Sequence, residues 1–197
     1  KNEWFALDSY RRFISMFGNV VLGIPGERFE TILAKKKLKR KIEFDTDFTI
    51  HELKALIKQF KALVARSTPE GFPEDPLQQL RMAVEAVFNS WNTERAQTYR
   101  RLQDIPHEWG TAVTVQSMVF GNMGDTSATG VAFTRNPATG EKKFYGEYMI
   151  NAQGEDVVAG IRTPHSIEKL EQDMPEVFQD LVKVYQKLEN YYKDMQD

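Results

Sequence analysis

Between residues 121 and 160 the sequence sets seven glycines, Gly121, Gly124, Gly130, Gly140, Gly146, Gly154 and Gly160, among small polar residues, one arginine and several acids. Glycine at a strand end lets the backbone come close to a ligand, and the N–H groups of such turns form concavities that suit phosphate oxygens. Glu147, Glu155 and Asp156 add carboxylates of the kind that hold Mg²⁺ together with water and substrate phosphates. Hairpins also need glycine for their own turns, and acids at strand ends are commonly just solvated. On residue type alone the stretch therefore reads either as a phosphate cradle or as a turn-rich sheet. Other chemistries are excluded more firmly. His51, His107 and His165 are far apart and none has a second ligand at helical spacing, so no histidine metal cluster is encoded. A Walker loop, a dinucleotide fingerprint and a nucleophile elbow are all missing. With no cysteine there are no disulfides, thiolates or cysteine-based zinc sites, which fits a reducing compartment.

The elements that must position these residues belong to an ordinary globular chain of 197 residues, 41% hydrophobic and 27% charged. No apolar run approaches the ~20 residues needed to cross a bilayer, and no secretory leader is visible. A net charge of −2 gives no global attraction to nucleic acid or to an anionic membrane. Six positive charges lie within Lys35–Lys41, but the acids Glu43, Asp45 and Asp47 follow, and the run reads as a solvated helix end. The chain starts at Lys1 and ends on a charged amphipathic run with no capping glycine, and it is expected to be a piece of a longer polypeptide.

Apolar spacing predicts a helix over 5–17, capped by Asp8 or Ser9 and ending near Gly18, then a turn over 20–26. Thr49-Ile50-His51-Glu52 has capping-box spacing and opens a helix with Leu53, Leu56, Ile57, Phe60 and Leu63 on one face. Three prolines between Ser67 and Pro76 mark an exposed connection. Helices over 77–88 and 93–102 follow. Alternating β-branched residues predict strands over 111–120, 129–134 and 143–150, joined as an antiparallel meander with a turn at Asn136–Gly140. Helical spacing returns from Ser166, with a restart at Pro175. The expected fold class is α+β, with a helical subdomain over 1–72, connecting helices over 73–110, and a lobe over 111–197 in which a small antiparallel sheet carries flanking helices.

Three segments, Val115–Asn122, Thr129–Pro137 and Asn151–Gly160, closely resemble the nucleotide-binding domain of pyruvate, phosphate dikinases. Asp8–Phe13 and the stretch Ser90-Trp91 through Tyr99-Arg100 resemble it as well, so the likeness covers nearly the whole chain. The wording Asn151-Ala152-Gln153-Gly154-Glu155-Asp156 is nearer to the phosphate-dependent enzymes than to phosphoenolpyruvate synthases or glucan dikinases, which share the domain. The resemblance implies a fragment of an ATP-grasp domain, and a parent that converts ATP, phosphate and pyruvate to AMP, diphosphate and phosphoenolpyruvate through a phosphohistidine on a separate domain.

Carried onto this chain, the resemblance implies that Gln116, Met118 and Val119 border adenine, with Met118 packing on the ring or into a core. Thr129 and Gly130 would sit beside the phosphates, and Glu155 and Asp156 would order the nucleotide or its Mg²⁺. Arg11 and Arg135 become candidates for phosphate contact in catalysis, where a guanidinium binds oxygens bidentately, or else structural ion-pair partners. Asp197 resembles the first acid of a metal-binding pair whose second member lies beyond the chain. Arg95 and Glu147 are candidates for docking the phosphohistidine domain, although with Arg100 and Arg101 they would equally serve a non-catalytic helical docking module. The family's catalytic Lys and Arg, its phosphohistidine and its pyruvate-binding barrel find no counterpart here. The implied partners are ATP and the phosphohistidine domain of the same parent, itself expected to be a homodimer, with neither nucleic acid nor membrane. The implied compartment is the cytoplasm, or an organelle in a plant or protist, and the fragment alone is expected to be inactive.

Overall fold

The computed structural model describes residues 2–158 and 163–193. The chain divides into two units, Lys1–Gln116 and Ser117–Asp197. Residues 73–110, expected as a connection, fall in the first unit together with the helical residues 1–72.

The first unit is helical: α1 Glu3–Val20, α2 Gly26–Arg40, α3 Ile50–Ser67, α4 Pro76–Ser90 and α5 Glu94–Leu102. Helix α1 begins earlier than its apolar spacing predicts. Asn2 caps it by accepting from Phe5 N. Asp8, expected as a cap, is instead buried inside the helix. The helix also runs through Gly18, because a Cβ there would lie 2.5 Å from the Phe29 ring, so the glycine is a packing gap and not a terminator. The capping box of α3 is formed both ways, with Thr49 Oγ1 accepting from Glu52 N and Glu52 Oε2 accepting from Thr49 N.

The core of this unit lies between α1, α2 and α3. Ile14, Phe29, Ile57, Phe60, Leu63 and Val64 form one buried cluster. Leu33, Phe48, Leu53 and Leu56 form a second. Phe29 and Phe60 meet edge to face at 5.1 Å, the arrangement that sets a positive ring edge against a negative face. The basic run closes α2, where Lys37 pairs with Asp45 at 2.6 Å and Arg40 pairs with Glu52 at 2.5 Å. Its charge is thus partly neutralised locally, as a solvated helix end requires.

The second unit is built on an antiparallel hairpin, β1 Ala128–Phe133 and β2 Tyr145–Ile150, with Thr129 opposite Met149 and Val131 opposite Glu147. The third strand is β3 His165–Ser166, which pairs with β2, and not the expected strand over 111–120. That segment has the alternation of a strand but is not part of the sheet formed by the described residues. Val115, Met118 and Val119 all stand exposed. Alternation decides which side a residue faces, whereas a strand exists only where another strand accepts its backbone hydrogen bonds. The helices of this unit are α6 Gly154–Val158, α7 Leu170–Asp173 and α8 Pro175–Tyr192. Tyr148, Ile167 and Leu170 are its buried centre, with Phe144, Phe178 and Leu181 packed on them. Helices with a small antiparallel sheet make the chain α+β, as its patterning predicts.

Candidate functional site

Over residues 121–158 the glycine-rich stretch folds into one closed piece of the second unit, and Gly160 lies outside the described residues. The loop before β1 is stitched to the loop after β2: Ala152 N donates to the Gly121 carbonyl, Asn151 N to the Ser127 carbonyl, and Gly124 N to Asn151 Oδ1. Beneath them, buried Gln153 donates through Nε2 to Asn122 Oδ1 at 3.3 Å. Asn151 adopts a left-handed backbone (φ 50°), a conformation asparagine tolerates better than most residues. Three of the glycines, Gly121, Gly130 and Gly146, are demanded by close approach, the last because a Cβ there would lie 2.5 Å from the Val131 carbonyl oxygen. A Cβ on Gly121 would lie 2.5 Å from the Ala152 carbonyl oxygen, and one on Gly130 would lie 2.5 Å from that of Glu147.

Strand geometry then sorts the candidates. Successive side chains alternate faces, and directly opposed residues share one, so Thr129, Val131, Glu147 and Met149 lie on the same face of the hairpin. Helix α6 starts beside that face, with Thr129 Oγ1 4.0 Å from where a Cβ on Gly154 would stand. Thr129, Gly130, Glu155 and Asp156, expected to share phosphates and metal, are therefore brought together. Asp156 already has local work, since its Oδ2 accepts from Gln153 N at 2.9 Å and so fixes the start of α6. Met118 and Val119 are exposed and belong to no core, and Gln116 is exposed as well. Among the described residues no three acids or histidines gather as a ready-made metal centre. Asp197, the expected metal ligand, lies outside the described residues.

The two candidate arginines have acids of their own. Arg11 is buried in α1, where Nε and Nη2 reach Asp8 Oδ1 at 3.0 and 2.6 Å and Nη2 also reaches Asp45 Oδ2 at 2.8 Å. Burial alone pushes the Asp45 carboxyl up, but Arg11 and Lys37 outweigh it and hold it below the ordinary aspartate range. Of the two roles open to Arg11, this geometry is that of the structural ion pair, because a buried guanidinium clasped by two carboxylates presents little to a ligand.

Arg135, just beyond β1, donates through Nη2 to Glu189 Oε1 at 2.7 Å and through Nε to the Lys193 carbonyl at 2.9 Å. The Glu189 side chain is only 2% exposed. Hydrogen bonds from Arg135, opposed by burial and aided by Thr134 and Lys142, hold its carboxyl below the usual glutamate range. Glu189 was not among the candidates. Its signal lies in the periodicity of α8, where it falls four residues after Tyr185 and next to Leu188, an acid on an otherwise apolar stripe.

The expected docking residues are both open. Arg95 stands exposed on α5 and Glu147 stands exposed on β2, and neither forms an ion pair with another described residue. Tyr148, next to Glu147 on the opposite face, is buried and donates to Asp173 Oδ2 at 2.5 Å. Burial, together with that bond and the Asp173 charge, pushes its hydroxyl up to about 12.

The family model described as "Pyruvate phosphate dikinase, AMP/ATP-binding domain" matches residues 25–197. The chain is 55% identical over 197 residues to pyruvate, phosphate dikinase of Clostridium symbiosum, covering 100% of this chain and 22% of that protein. It is 53% identical over 195 residues to the chloroplastic pyruvate, phosphate dikinase 1 of Arabidopsis thaliana, covering 99% and 20%. It is 55% identical over 193 residues to the chloroplastic enzyme of Flaveria trinervia, covering 98% and 20%. The chain thus spans about a fifth of the length of these relatives. A family match over most of the chain, joined to identity above half across its whole length, places it: the chain belongs to the pyruvate phosphate dikinase AMP/ATP-binding domain family.

Proposed function

We propose that the chain is part of the ATP-binding domain of a pyruvate, phosphate dikinase, an ATP-grasp domain, and that the β1–β2 hairpin with α6 forms one wall of its nucleotide site. The observation that carries this reading is the convergence of Thr129, Gly130 and the start of α6 on one hairpin, inside the stretch matched by the family. On this reading the parent converts ATP, phosphate and pyruvate to AMP, diphosphate and phosphoenolpyruvate, with a phosphohistidine on another domain as carrier.

The chemistry asked of this wall is positioning and charge neutralisation, which dominate phosphoryl transfer. Exposed backbone over Gln116–Val119 reads the adenine edge, and Met118 lies on the ring. Thr129 and Gly130 flank the phosphates. Glu155 faces the nucleotide, and Asp156 acts by fixing the first turn of α6. Magnesium arriving with ATP needs only one or two protein carboxylates beside the phosphates, for which Glu155 and Asp197 are the candidates. Arg11 and Arg135 serve first as ion-pair partners that fix α1 and the end of α8. Arg95 and Glu147 meet the phosphohistidine domain. The parent is a homodimer, placed in the cytoplasm or, in a plant or protist, in an organelle; among the described residues no helix is long and apolar enough to cross a membrane.

The test is steady-state kinetics on the full-length parent. Thr129→Val and Glu155→Gln should raise KM for ATP and leave KM for pyruvate unchanged; an unchanged KM for ATP in both variants removes the proposed wall. AMP formation that does not depend on phosphate would place the parent with phosphoenolpyruvate synthases instead. The 197-residue chain alone should show no steady formation of AMP and diphosphate.

A further inference from the structure

The segment over 116–119 runs into the glycine-rich loop without the support of a strand ladder, since it is not part of the sheet formed by the described residues. Met118 and Val119 both stand exposed. The bonds that join the end of this segment to the hairpin lie at Gly121 and Asn122. The Gly121 carbonyl accepts from Ala152 N at 3.0 Å, and Asn122 Oδ1 accepts from Gln153 Nε2 at 3.3 Å.

Gln153 works in two directions. Its side chain holds Asn122, while its backbone N–H donates to Asp156 Oδ2 at 2.9 Å and its carbonyl accepts from Asp156 N at 2.9 Å. One residue thus ties the end of segment 116–119 to the first turn of α6, which carries Glu155. Asn122 and Gln153 are each only 8% exposed, and Ala152 is fully buried, so the two amides are placed to support a site and not to line it. Apolar residues would fill such a place at less cost, because a buried amide must be hydrogen-bonded to be tolerated. What the amide pair adds is direction: a hydrogen bond fixes distance and angle, whereas apolar contact does not.

We propose that Gln153 and Asn122 are positioning residues of the nucleotide site, their bond setting the span between segment 116–119 and the first turn of α6 and so favouring a nucleoside triphosphate over its separate halves. The inference rests on the reading of this hairpin as a wall of the nucleotide site, with adenine at 116–119 and the phosphates at Thr129, Gly130 and Glu155. A ligand with two ends gains from both only when both fit at once. An altered span removes that gain while each half still finds its own contacts.

The experiment uses the full-length polypeptide, with adenosine and inorganic triphosphate as probes of the two halves. Gln153→Leu and Asn122→Leu should each raise KM for ATP about tenfold. KM for pyruvate and the competitive inhibition constants of adenosine and of triphosphate should stay as they are in the unaltered protein. Inhibition constants that rise as much as KM for ATP would mean that the site has collapsed as a whole, and would overturn the proposal; so would an unchanged KM for ATP. The double variant Asn122→Leu with Gln153→Leu separates folding from positioning. It leaves neither amide partner unpaired, so its melting temperature should lie above those of the single variants while KM for ATP stays raised. Recovery of both together would leave the pair as a support of the fold alone. Thr129→Val and Glu155→Gln are the controls. If they leave KM for ATP unchanged, the wall itself is wrong and the proposal goes with it; if they raise it and the Gln153 and Asn122 variants do not, the span alone is wrong.

Discussion

Arg135 and Glu189 are 54 positions apart in sequence and 2.7 Å apart in the fold, and their pairing ties the residue just beyond β1 to the last turns of α8. The tie is reinforced by the bond from Arg135 to the Lys193 carbonyl and by the nearby Lys142. Arg135→Met should therefore lower the thermal stability of the second unit and increase hydrogen exchange at the end of α8. Arg135→Lys should recover only part of the loss, because a lysine cannot reproduce the forked contact with both oxygens. Melting curves beside ATP titrations decide between the roles open to Arg135. A residue that mainly touches phosphate would lose ATP affinity with its melting temperature intact.

The ion pairs and the buried tyrosine set both ends of the pH dependence. Asp45, Asp173 and Glu189 are all held below their ordinary values in the folded state. Their contribution is full above the unfolded carboxyl pKa of about 4 and drains away as pH falls through the lower folded values, so acid unfolding should steepen below about pH 4. Tyr148 works in the opposite direction. Its folded pKa of about 12 lies above the ordinary tyrosine value of 10.0. Between these values the unfolded chain loses the proton first, and stability should fall as pH rises through that window. Tyrosinate absorbance followed with unfolding should show one hydroxyl titrating late, and Tyr148→Phe should abolish that late step.

The first unit depends on a core whose parts were legible locally. Thr49 and Glu52 are three residues apart, Pro76 sits at the first position of α4, and Leu53, Leu56, Ile57 and Phe60 repeat at helical spacing, so each feature can be recognised without knowing the fold. The unreadable parts are those that need a distant partner. The stretch 111–120 alternates like a strand, but a strand is completed by a neighbour that its own residues do not specify. Gly18 reads as a helix end until Phe29 is placed against it. In the candidate site, the glycines, Thr129 and the acids of α6 were visible as a cluster in sequence. The Gln153 to Asn122 bond and the Glu189 clasp were not, since each joins residues dozens of positions apart.

Phe60→Ala should destabilise the first unit by about 3–5 kcal/mol, the usual cost of emptying a buried aromatic site. The ring is 1% exposed and meets Phe29 edge to face. Thr49→Ala should cost only about 1 kcal/mol, since it removes one cap from α3 and leaves its apolar face intact. Denaturant unfolding followed by helical circular dichroism measures both. Equal losses would mean that the core cluster is not the main support of this unit.

Gly121→Ala should open the clip between the loops without unfolding α8. The added methyl would meet the backbone oxygens of both Ala152 and Ala128, and neither is a flexible side chain that can turn away. Limited proteolysis should then cut within 121–127, and exchange of the Ala152 and Asn151 amides should accelerate. If the alanine variant keeps those amides protected, the approach at Gly121 is not what requires glycine, and the phosphate-cradle explanation of the residue gains ground.

Arg95 and Glu147 are exposed charges without an ion-pair partner among the described residues, the condition expected of groups that meet a partner domain. Rim charges of this kind act mainly on encounter and specificity. In the full-length parent, Arg95→Glu and Glu147→Lys should each slow phosphoryl transfer from ATP to the phosphohistidine domain, while ATP affinity measured by calorimetry stays close to that of the unaltered protein. The slowing should change with salt, because exposed charges are screened over about 10 Å at 0.1 M ionic strength. A parallel loss of ATP affinity would place these residues at the nucleotide and not at the docking face. Transfer rates that do not change at all would leave Arg95 and Glu147 as solvated charges with no part in the reaction.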